Sequence, residues 1–402
     1  MDSRHTLPAA AVAAALAFSV VRAEPLSLAE AQALAERANA GLAAERLQVP
    51  VAKAGIGVAR QRPNPELAFE ETRETPRDAL GLTFPIETGG KRGKRIDVAE
   101  AAVATGEATL TKATIELRAR VRRAYFGLAA AERSAAETKG LAELAARSRD
   151  AVAERVKSGD APRLEQLQTE MAAAQTENEA TAAQALAASR RAELNVIIGR
   201  PPDADVGTTA DLGEGAMPDL PAAIATALQH NGDLAVLEGR VREQNQRVRL
   251  ARAQRWPDFG LTGAVTHRDP DFDWGWRAGV SLTLPLFHNH GAEAKLEEAT
   301  LAQITAEREA QTADVRSRVV AAWTLADGRG RQYARYRDEI LPTAREVESM
   351  AEESYRAGQT GLVELIQSIS AVRDARTRAV EAGLAYQEAV ADLEEAIGAP
   401  IP

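Results

Sequence analysis

The segment DWGWRAGVSLTLPLF, Asp273–Phe287, alternates large apolar side chains with small or polar ones along its length. Trp274 and Trp276 stand at its start, and Thr283 and Pro285 stand near its end. A period of two is typical of a β-strand, and this run exceeds the usual strand length of about 5 to 6 residues. The surrounding sequence is rich in Ala, Glu, Arg, Leu and Gln, which favour helices. We therefore expect a mainly helical protein with a small β part.

The composition of the chain narrows the class of protein. Of its 402 residues 45 % are hydrophobic but only 4 % are aromatic, which suits long, closely packed helices better than a compact enzyme core. The net charge is -9, so the chain lacks the excess of basic residues that would neutralise the phosphates of a nucleic acid. No nucleic-acid partner is therefore expected. The chain has no cysteine, so we expect no disulfide, thiolate metal site, cysteine nucleophile or cysteine-linked lipid. Because no catalytic motif is found, we predict neither an enzyme nor a cofactor.

The N-terminal residues 1–23 are expected to be a signal peptide. Leu7–Val21 is an uncharged apolar run of 15 residues, which suits the core of an export signal and is too short for a transmembrane helix. The segment Val21–Ala23 offers small residues at the positions expected just before a cleavage site, so cleavage is expected before Glu24. The alternative is a buried N-terminal helix. A signal peptide would mean that the mature chain is exported.

The chain carries its pattern twice. GLTFPI at Gly81–Ile86 aligns with SLTLPL at Ser281–Leu286, and IIGRP at Ile197–Pro201 aligns with AIGAP at Ala396–Pro400. Matches in the same order indicate a tandem duplication whose period is too long for a solenoid. We predict two structural repeats, each made of a helix, a strand pair and a long helical hairpin. The repeats span 24–218 and 219–402, with strands at about 65–74, 78–86, 257–267 and 274–286 and hairpins at about 94–200 and 292–398.

Each predicted strand has one apolar face and one small or polar face. A soluble sandwich would need a second sheet to cover the apolar faces, and the sequence predicts no further strands. Long strands with this alternation are typical of transmembrane β-barrels, in which Trp256, Trp274 and Trp276 would form an interfacial girdle. Four strands cannot close a barrel, and open sheet edges are not tolerated in lipid. Several chains must therefore share one barrel.

With these elements in this order, the mature chain resembles the TolC-like outer-membrane efflux proteins. The motif FPIETGGKRGKR, Phe84–Arg95, is similar to that of the branch that serves heavy-metal efflux of the cobalt-zinc-cadmium type. The resemblance implies a homotrimer with a 12-stranded β-barrel, continued by a periplasmic α-helical barrel, in the outer membrane of a Gram-negative bacterium. It further implies contact with outer-membrane lipid, a periplasmic adaptor (membrane fusion) protein and an inner-membrane, proton-driven pump of the RND type.

The same resemblance suggests where the channel closes. The hairpin tips contain RVKSGDAPRLEQLQ and YRAGQTGLVELIQ, each with a glycine that allows a sharp reversal. Relatives carry acidic residues that ring the tunnel mouth and a tyrosine that ties neighbouring coils, and these positions fall on Glu165, Glu364 and Tyr355. Gln168 and Gln367 stand where relatives can carry a second acidic residue. The tip residues expected to contact the adaptor are Gly159, Asp160, Ala161, Gly358, Gln359 and Thr360.

The gate interpretation predicts a hydrogen bond from Tyr355 to Glu165 and a ring of six carboxylates that attracts cations. It has a plain alternative. Glu165 and Glu364 each lie in the first turn of a predicted helix, where acidic residues are favoured without any gating role.

Three smaller motifs have simple explanations beside functional ones. KRGKR, Lys91–Arg95, could bind nucleic acid or lipid headgroups, but paired surface charges explain it as well. HNH, His288–His290, offers two imidazoles without a third placed ligand, so no metal site is predicted. His267 beside the acidic residues 269–273 could attract cations weakly, although a solvated loop is sufficient.

The leading functional prediction is a passive exit duct of a tripartite efflux pump that carries divalent heavy-metal cations. The same fold could instead export drugs or other organic compounds, because a water-filled tunnel selects little. An alternative of another class is a periplasmic coiled-coil scaffold whose strands form a small soluble sheet.

Overall fold

The computed structural model describes residues 25–73, 76–213, 215–268, 273–357 and 359–401. The expected signal peptide, residues 1–23, and the tip glycine Gly358 lie outside the described residues.

Each half of the chain places two short helices before a strand pair and long helices after it. The first half comprises α1 (Leu28–Ala38), α2 (Ala40–Arg60), β1 (Glu66–Glu71), β2 (Asp78–Ile86), α3 (Lys91–Lys157) and α4 (Arg163–Ile197). The second half comprises α5 (Leu220–His230), α6 (Gly232–Ala253), β3 (Phe259–Arg268), β4 (Asp273–Leu282), α7 (Gly291–Arg335), a π-helical turn (Tyr336–Ile340), α8 (Leu341–Arg356) and α9 (Leu362–Ile397). The 67 residues of α3 span about 100 Å at a rise of 1.5 Å per residue.

The single first helix expected in each half is divided into two by an asparagine. Asn39 and Asn231 have extended backbones and cap α2 and α6. The Asn39 carboxamide donates to the Ile197 carbonyl at 3.0 Å, and the Asn231 carboxamide donates to the Ala396 carbonyl at 2.9 Å. Each asparagine therefore ends one helix, starts the next and fixes the C-terminus of the returning hairpin.

The glycines of the repeated IGRP and IGAP motifs are required by this contact. Gly199 and Gly398 have φ values of 75° and 79°, which favour glycine. A Cβ atom at Gly199 would lie 2.7 Å from the Ala38 carbonyl oxygen, and one at Gly398 would overlap the His230 carbonyl. The two copies of the motif thus close the same joint in each half.

The four strands form one antiparallel sheet in the order β1-β2-β3-β4. β4 ends at Leu282 rather than at residue 286 as expected, because β3 begins at Phe259 and Phe259 pairs with Leu282. β1 is also shorter than the expected 65–74, since its ladder with β2 runs from Glu66 to Glu71.

The core lies where the middle of α3 meets α9 and the short helices. Tyr125, Phe126 and Leu128 of α3 are fully buried. Beside them, buried Arg122 donates to the Glu394 carboxylate at 2.8 Å and to the Gln387 side-chain oxygen. Loss of one partner would leave a buried charge uncompensated, so removing either side chain should be strongly destabilising.

No described helix combines the length and the apolar character needed to cross a bilayer.

Candidate functional site

One face of the sheet is apolar across all four strands and is uncovered in the single chain. The cross-strand register places large apolar side chains opposite one another, as with Phe84 and Leu261 or Leu261 and Val280. Val280 is 71 % exposed although it lies within the ladder. A continuous apolar face of this kind must be covered by another surface or by lipid. Its members are Leu67, Phe69, Leu80, Leu82, Phe84, Ile86, Phe259, Leu261, Val265, Trp276, Val280 and Leu282.

The opposite face of the sheet carries small and polar side chains. The Thr83 and Thr262 hydroxyls lie 2.9 Å apart in the middle of this face. Arg277 Nη2 lies 3.9 Å from Glu70 Oε2, so this ion pair also lies on the small and polar side. An apolar face opposite a polar one is the arrangement of a transmembrane barrel strand, with the polar face toward the lumen.

The three tryptophans of the expected girdle lie at both ends of the sheet. Trp256 precedes β3, whereas Trp274 and Trp276 lie at the start of the antiparallel β4. All three are exposed, and Trp276 is 83 % exposed. Two exposed levels of tryptophan are what the two interfaces of a bilayer favour.

The basic KRGKR motif is engaged within the chain. Lys91 Nζ donates to the Trp256 carbonyl at 2.8 Å and to the Asp258 carboxylate at 2.7 Å. Arg92 Nε donates to the Arg60 carbonyl at the end of α2, and Arg95 pairs with Glu87. These contacts join the sheet to the helices and explain the motif without nucleic acid.

The first hairpin tip reverses through a glycine turn. Gly159 has a φ of 85°, and its N–H donates to the Val156 carbonyl, while the Asp160 N–H donates to the Arg155 carbonyl at 2.8 Å. This pair of bonds closes the C-terminus of α3. Asp160 is exposed and Ala161 is half-buried.

The second tip ends α8 with a similar bond, from the Gln359 N–H to the Ser354 carbonyl at 2.9 Å. Gln359 is exposed. Thr360 Oγ1 is buried and has no hydrogen-bond partner among the residues that the structure describes.

The structure brings Glu165 and Tyr355 together, but through a residue that sequence reasoning missed. Arg155 Nη1 lies 3.3 Å from Glu165 Oε1 and 3.3 Å from Tyr355 Oη. The expected Tyr355 to Glu165 hydrogen bond is not formed among the described residues, because the guanidinium lies between the two side chains. The only signal for Arg155 in the sequence was a cation four residues before the tip glycine.

The remaining gate candidates are exposed. Glu364 lies in the first turn of α9, as Glu165 does in α4. Gln168 and Gln367 are both exposed one turn further along. The two hairpins therefore place equivalent side chains at equivalent depths behind their tips.

The HNH motif gains a third side chain that the sequence interpretation did not place. Glu293 of α7 approaches His288 and His290, and the three ligand atoms lie within 4.8 Å of one another.

The geometry of the sheet and the hairpins agrees with the comparison of the chain with known proteins. Residues 31–200 and 223–399 match the family model described as outer membrane efflux protein. The chain belongs to the outer membrane efflux protein family. The two matched segments fall in the two halves of the chain.

Individual relatives of this outer membrane efflux protein agree with that assignment. The chain is 28 % identical over 380 residues to the cobalt-zinc-cadmium resistance protein CzcC of Cupriavidus metallidurans, which covers 91 % of this chain and 89 % of that protein. Its fold is similar to the crystal structure of a membrane protein from Pseudomonas aeruginosa, with a TM-score of 0.77, 20 % identity and 92 % of each chain covered. It is also similar to the Campylobacter jejuni CmeC outer membrane channel, with a TM-score of 0.76, 16 % identity, and 93 % of this chain and 86 % of that one covered.

The family assignment confirms the mainly α fold with a small β part and the role as an outer-membrane component of efflux.

Proposed function

We propose that three copies of this outer membrane efflux protein form one passive duct through which divalent heavy-metal cations leave the periplasm. The observation that carries the proposal is the exposed apolar face of a four-stranded sheet whose two edges are β1 and β4. If β4 of one chain pairs with β1 of the next, three chains supply 12 strands and leave no edge in lipid.

The substrate is proposed from similarity to a cobalt-zinc-cadmium resistance protein over nine-tenths of the chain. The duct itself would select little, and a pump would choose the cargo. We propose an inner-membrane RND-type pump and a periplasmic adaptor as partners, with the adaptor at the hairpin tips around Asp160 and Gln359. In this assembly the repeats 24–218 and 219–402 each supply one strand pair and one helical hairpin.

We further propose that the tips close the duct. Arg155 joins Glu165 of its own hairpin to Tyr355 of the other, and both partners are within 3.3 Å. Breaking these bonds would free the second hairpin to move outward. Glu165 and Glu364 of three chains would place six carboxylates around the opening and attract cations.

Deletion of the gene in its own host tests the substrate. The deletion should raise sensitivity to Co²⁺, Zn²⁺ and Cd²⁺, and the wild-type gene should restore resistance. A panel of organic toxicants is measured in parallel. Sensitivity confined to organic compounds would favour the alternative cargo, and unchanged sensitivity to metals would contradict the proposal.

Cell fractionation tests the membrane placement separately. The protein should sediment with outer membranes and require detergent for extraction. Recovery in the soluble periplasmic fraction would favour the coiled-coil scaffold instead.

A further inference from the structure

We infer that His288, His290 and Glu293 form a binding site for a divalent transition-metal ion of the zinc type, at the junction between β4 and α7. The inference stands on three side chains of one chain and does not depend on the cargo of the duct.

The three ligand atoms already lie close together. His288 Nε2 is 2.5 Å from Glu293 Oε1, and His290 Nδ1 is 3.7 Å from the same oxygen. Tetrahedral Zn²⁺ with bonds of about 2.0 to 2.1 Å separates its ligand atoms by about 3.3 Å, so His290 and Glu293 are within a few tenths of an ångström of that spacing. The larger adjustment falls on His288, whose exposed side chain is free to turn.

The backbone of the junction directs the two imidazoles to one place. His290 has a φ of 53° and is the one non-glycine residue with a positive φ in the described part of the chain. The Asn289 side-chain oxygen accepts the Gly291 N–H at 2.9 Å and holds the turn. The rings of His288 and His290 are consequently 4.4 Å apart between centroids.

The start of α7 supplies the carboxylate. Glu293 lies in the first turn of the helix, two residues after its first residue, Gly291. The positive end of the helix dipole opposes a cation here, but this effect is small beside two imidazole bonds and one carboxylate bond to the metal.

The donor set indicates the class of metal. Two imidazole nitrogens and one carboxylate oxygen suit Zn²⁺ and neighbouring transition metals, with a fourth position left for water. Ca²⁺ and Mg²⁺ favour sites made of oxygen ligands alone. Ion pairs of both histidines with Glu293 are the competing explanation for the cluster, and measured Zn²⁺ binding separates the two.

Zn²⁺ binding to the full-length protein tests the site. The protein is purified in detergent without a polyhistidine tag and is titrated with Zn²⁺ by equilibrium dialysis, with Co²⁺ as an optical probe of the ligand set. We expect one Zn²⁺ per chain and at least ~10-fold weaker binding in His288→Ala, His290→Ala and Glu293→Gln. His230→Ala, which removes an exposed histidine elsewhere, is the matched control and should bind as the wild type does.

A second measurement needs no variant. Zn²⁺ should protect His288 and His290 of the wild-type protein from acylation by diethyl pyrocarbonate, as followed by mass spectrometry, and should leave His230 reactive. Equal modification with and without Zn²⁺, or full binding in the His288→Ala/His290→Ala double variant, would overturn the inference. Because neither readout uses transport, a failed metal site is distinguishable from a failed assignment of the cargo.

Discussion

Arg155 links the two hairpin tips, although the sequence analysis expected Glu165 and Tyr355 to bond to each other directly. It is the shared neighbour of Glu165 and Tyr355, which come from opposite halves of the chain. The guanidinium of Arg155 has several N–H donors, so it can join a carboxylate and a phenol at once.

We predict that Arg155→Ala raises the conductance of the closed trimer, because the tie between the hairpins is lost. Tyr355→Phe combined with Glu165→Ala should act in the same direction, and Glu364→Ala should weaken block by divalent cations. Single-channel recording in planar bilayers measures these effects. Arg149→Ala is the matched control, since Arg149 pairs with its neighbour Asp150. Equal conductance in all variants would leave the two glutamates as ordinary first-turn residues.

Asp233 provides a pH-dependent contact between three helices. Partial burial raises the pKa of its carboxyl, but hydrogen bonds from Lys112 and Arg318 outweigh burial, and the pKa is lowered below 3.8. The ion pairs, at 2.7 and 3.1 Å, therefore stabilise the fold above pH 3.8, and this contribution is lost as the pH falls through the folded pKa.

Asp233→Asn should lower the stability at pH 7 by about 0.5 to 1 kcal/mol, because the pairs are partly solvated. The difference from the wild type should shrink as the pH falls below 3.8. Thermal unfolding in detergent over this pH range measures the difference in stability between the variant and the wild type. A difference that stays constant with pH would show that charge is not the cause.

At the scale of elements, the joint between the short helices and the returning hairpins depends on glycine. We predict that Gly199→Ala and Gly398→Ala each destabilise the protein by about 1 to 3 kcal/mol, since both residues have positive φ and face a carbonyl group. Gly55→Ala is the control, because Gly55 lies inside α2 with open space around its Cβ position. That change should be neutral or stabilising. Thermal unfolding measures the stability of the three variants. Equal losses of stability in all three would contradict the explanation.

The two faces of β4 should respond differently to charge. Val280→Arg places a cation on the apolar face and should impair insertion by about 2 to 4 kcal/mol if the site lies near the bilayer midplane. Ser281→Arg, one residue further, places it on the small and polar face and should be milder. Urea-gradient refolding into lipid vesicles compares the two. Equal damage would mean that the face assignment is wrong.

At the scale of the whole molecule, the sheet edges should meet between chains. The chain has no cysteine, so introduced cysteines are the only ones present. Ala68→Cys in β1, combined in turn with Gly275→Cys, Gly279→Cys or Ser281→Cys in β4, tests three registers of the small face. At least one pair should cross-link chains into a ladder that ends at the trimer on denaturing gels.

Native mass measurement in detergent accompanies the cross-linking. A stable monomer or dimer, or ladders that continue beyond three chains, would contradict the closed ring of three.

Local patterns determined much of this protein. A period of two along Asp273–Leu282 and a repeated IG-P motif depend only on neighbouring residues and on equivalent positions in the two halves, so strands, long helices and duplication could be predicted from the sequence. The apolar face was predictable for the same reason, because alternate residues of a strand share one side.

Only the tertiary structure decided the contacts between distant segments. The division of the first helices at Asn39 and Asn231 follows from carbonyl groups about 160 residues away. The end of β4 follows from where β3 begins, and the role of Arg155 follows from a tyrosine 200 residues later in the chain. Even Glu293 reaches the two histidines only because the backbone at His290 turns left-handed. Contacts of this kind leave no periodic pattern in the sequence, because their two partners lie far apart along the chain. They stabilise the protein only after folding has brought both partners together.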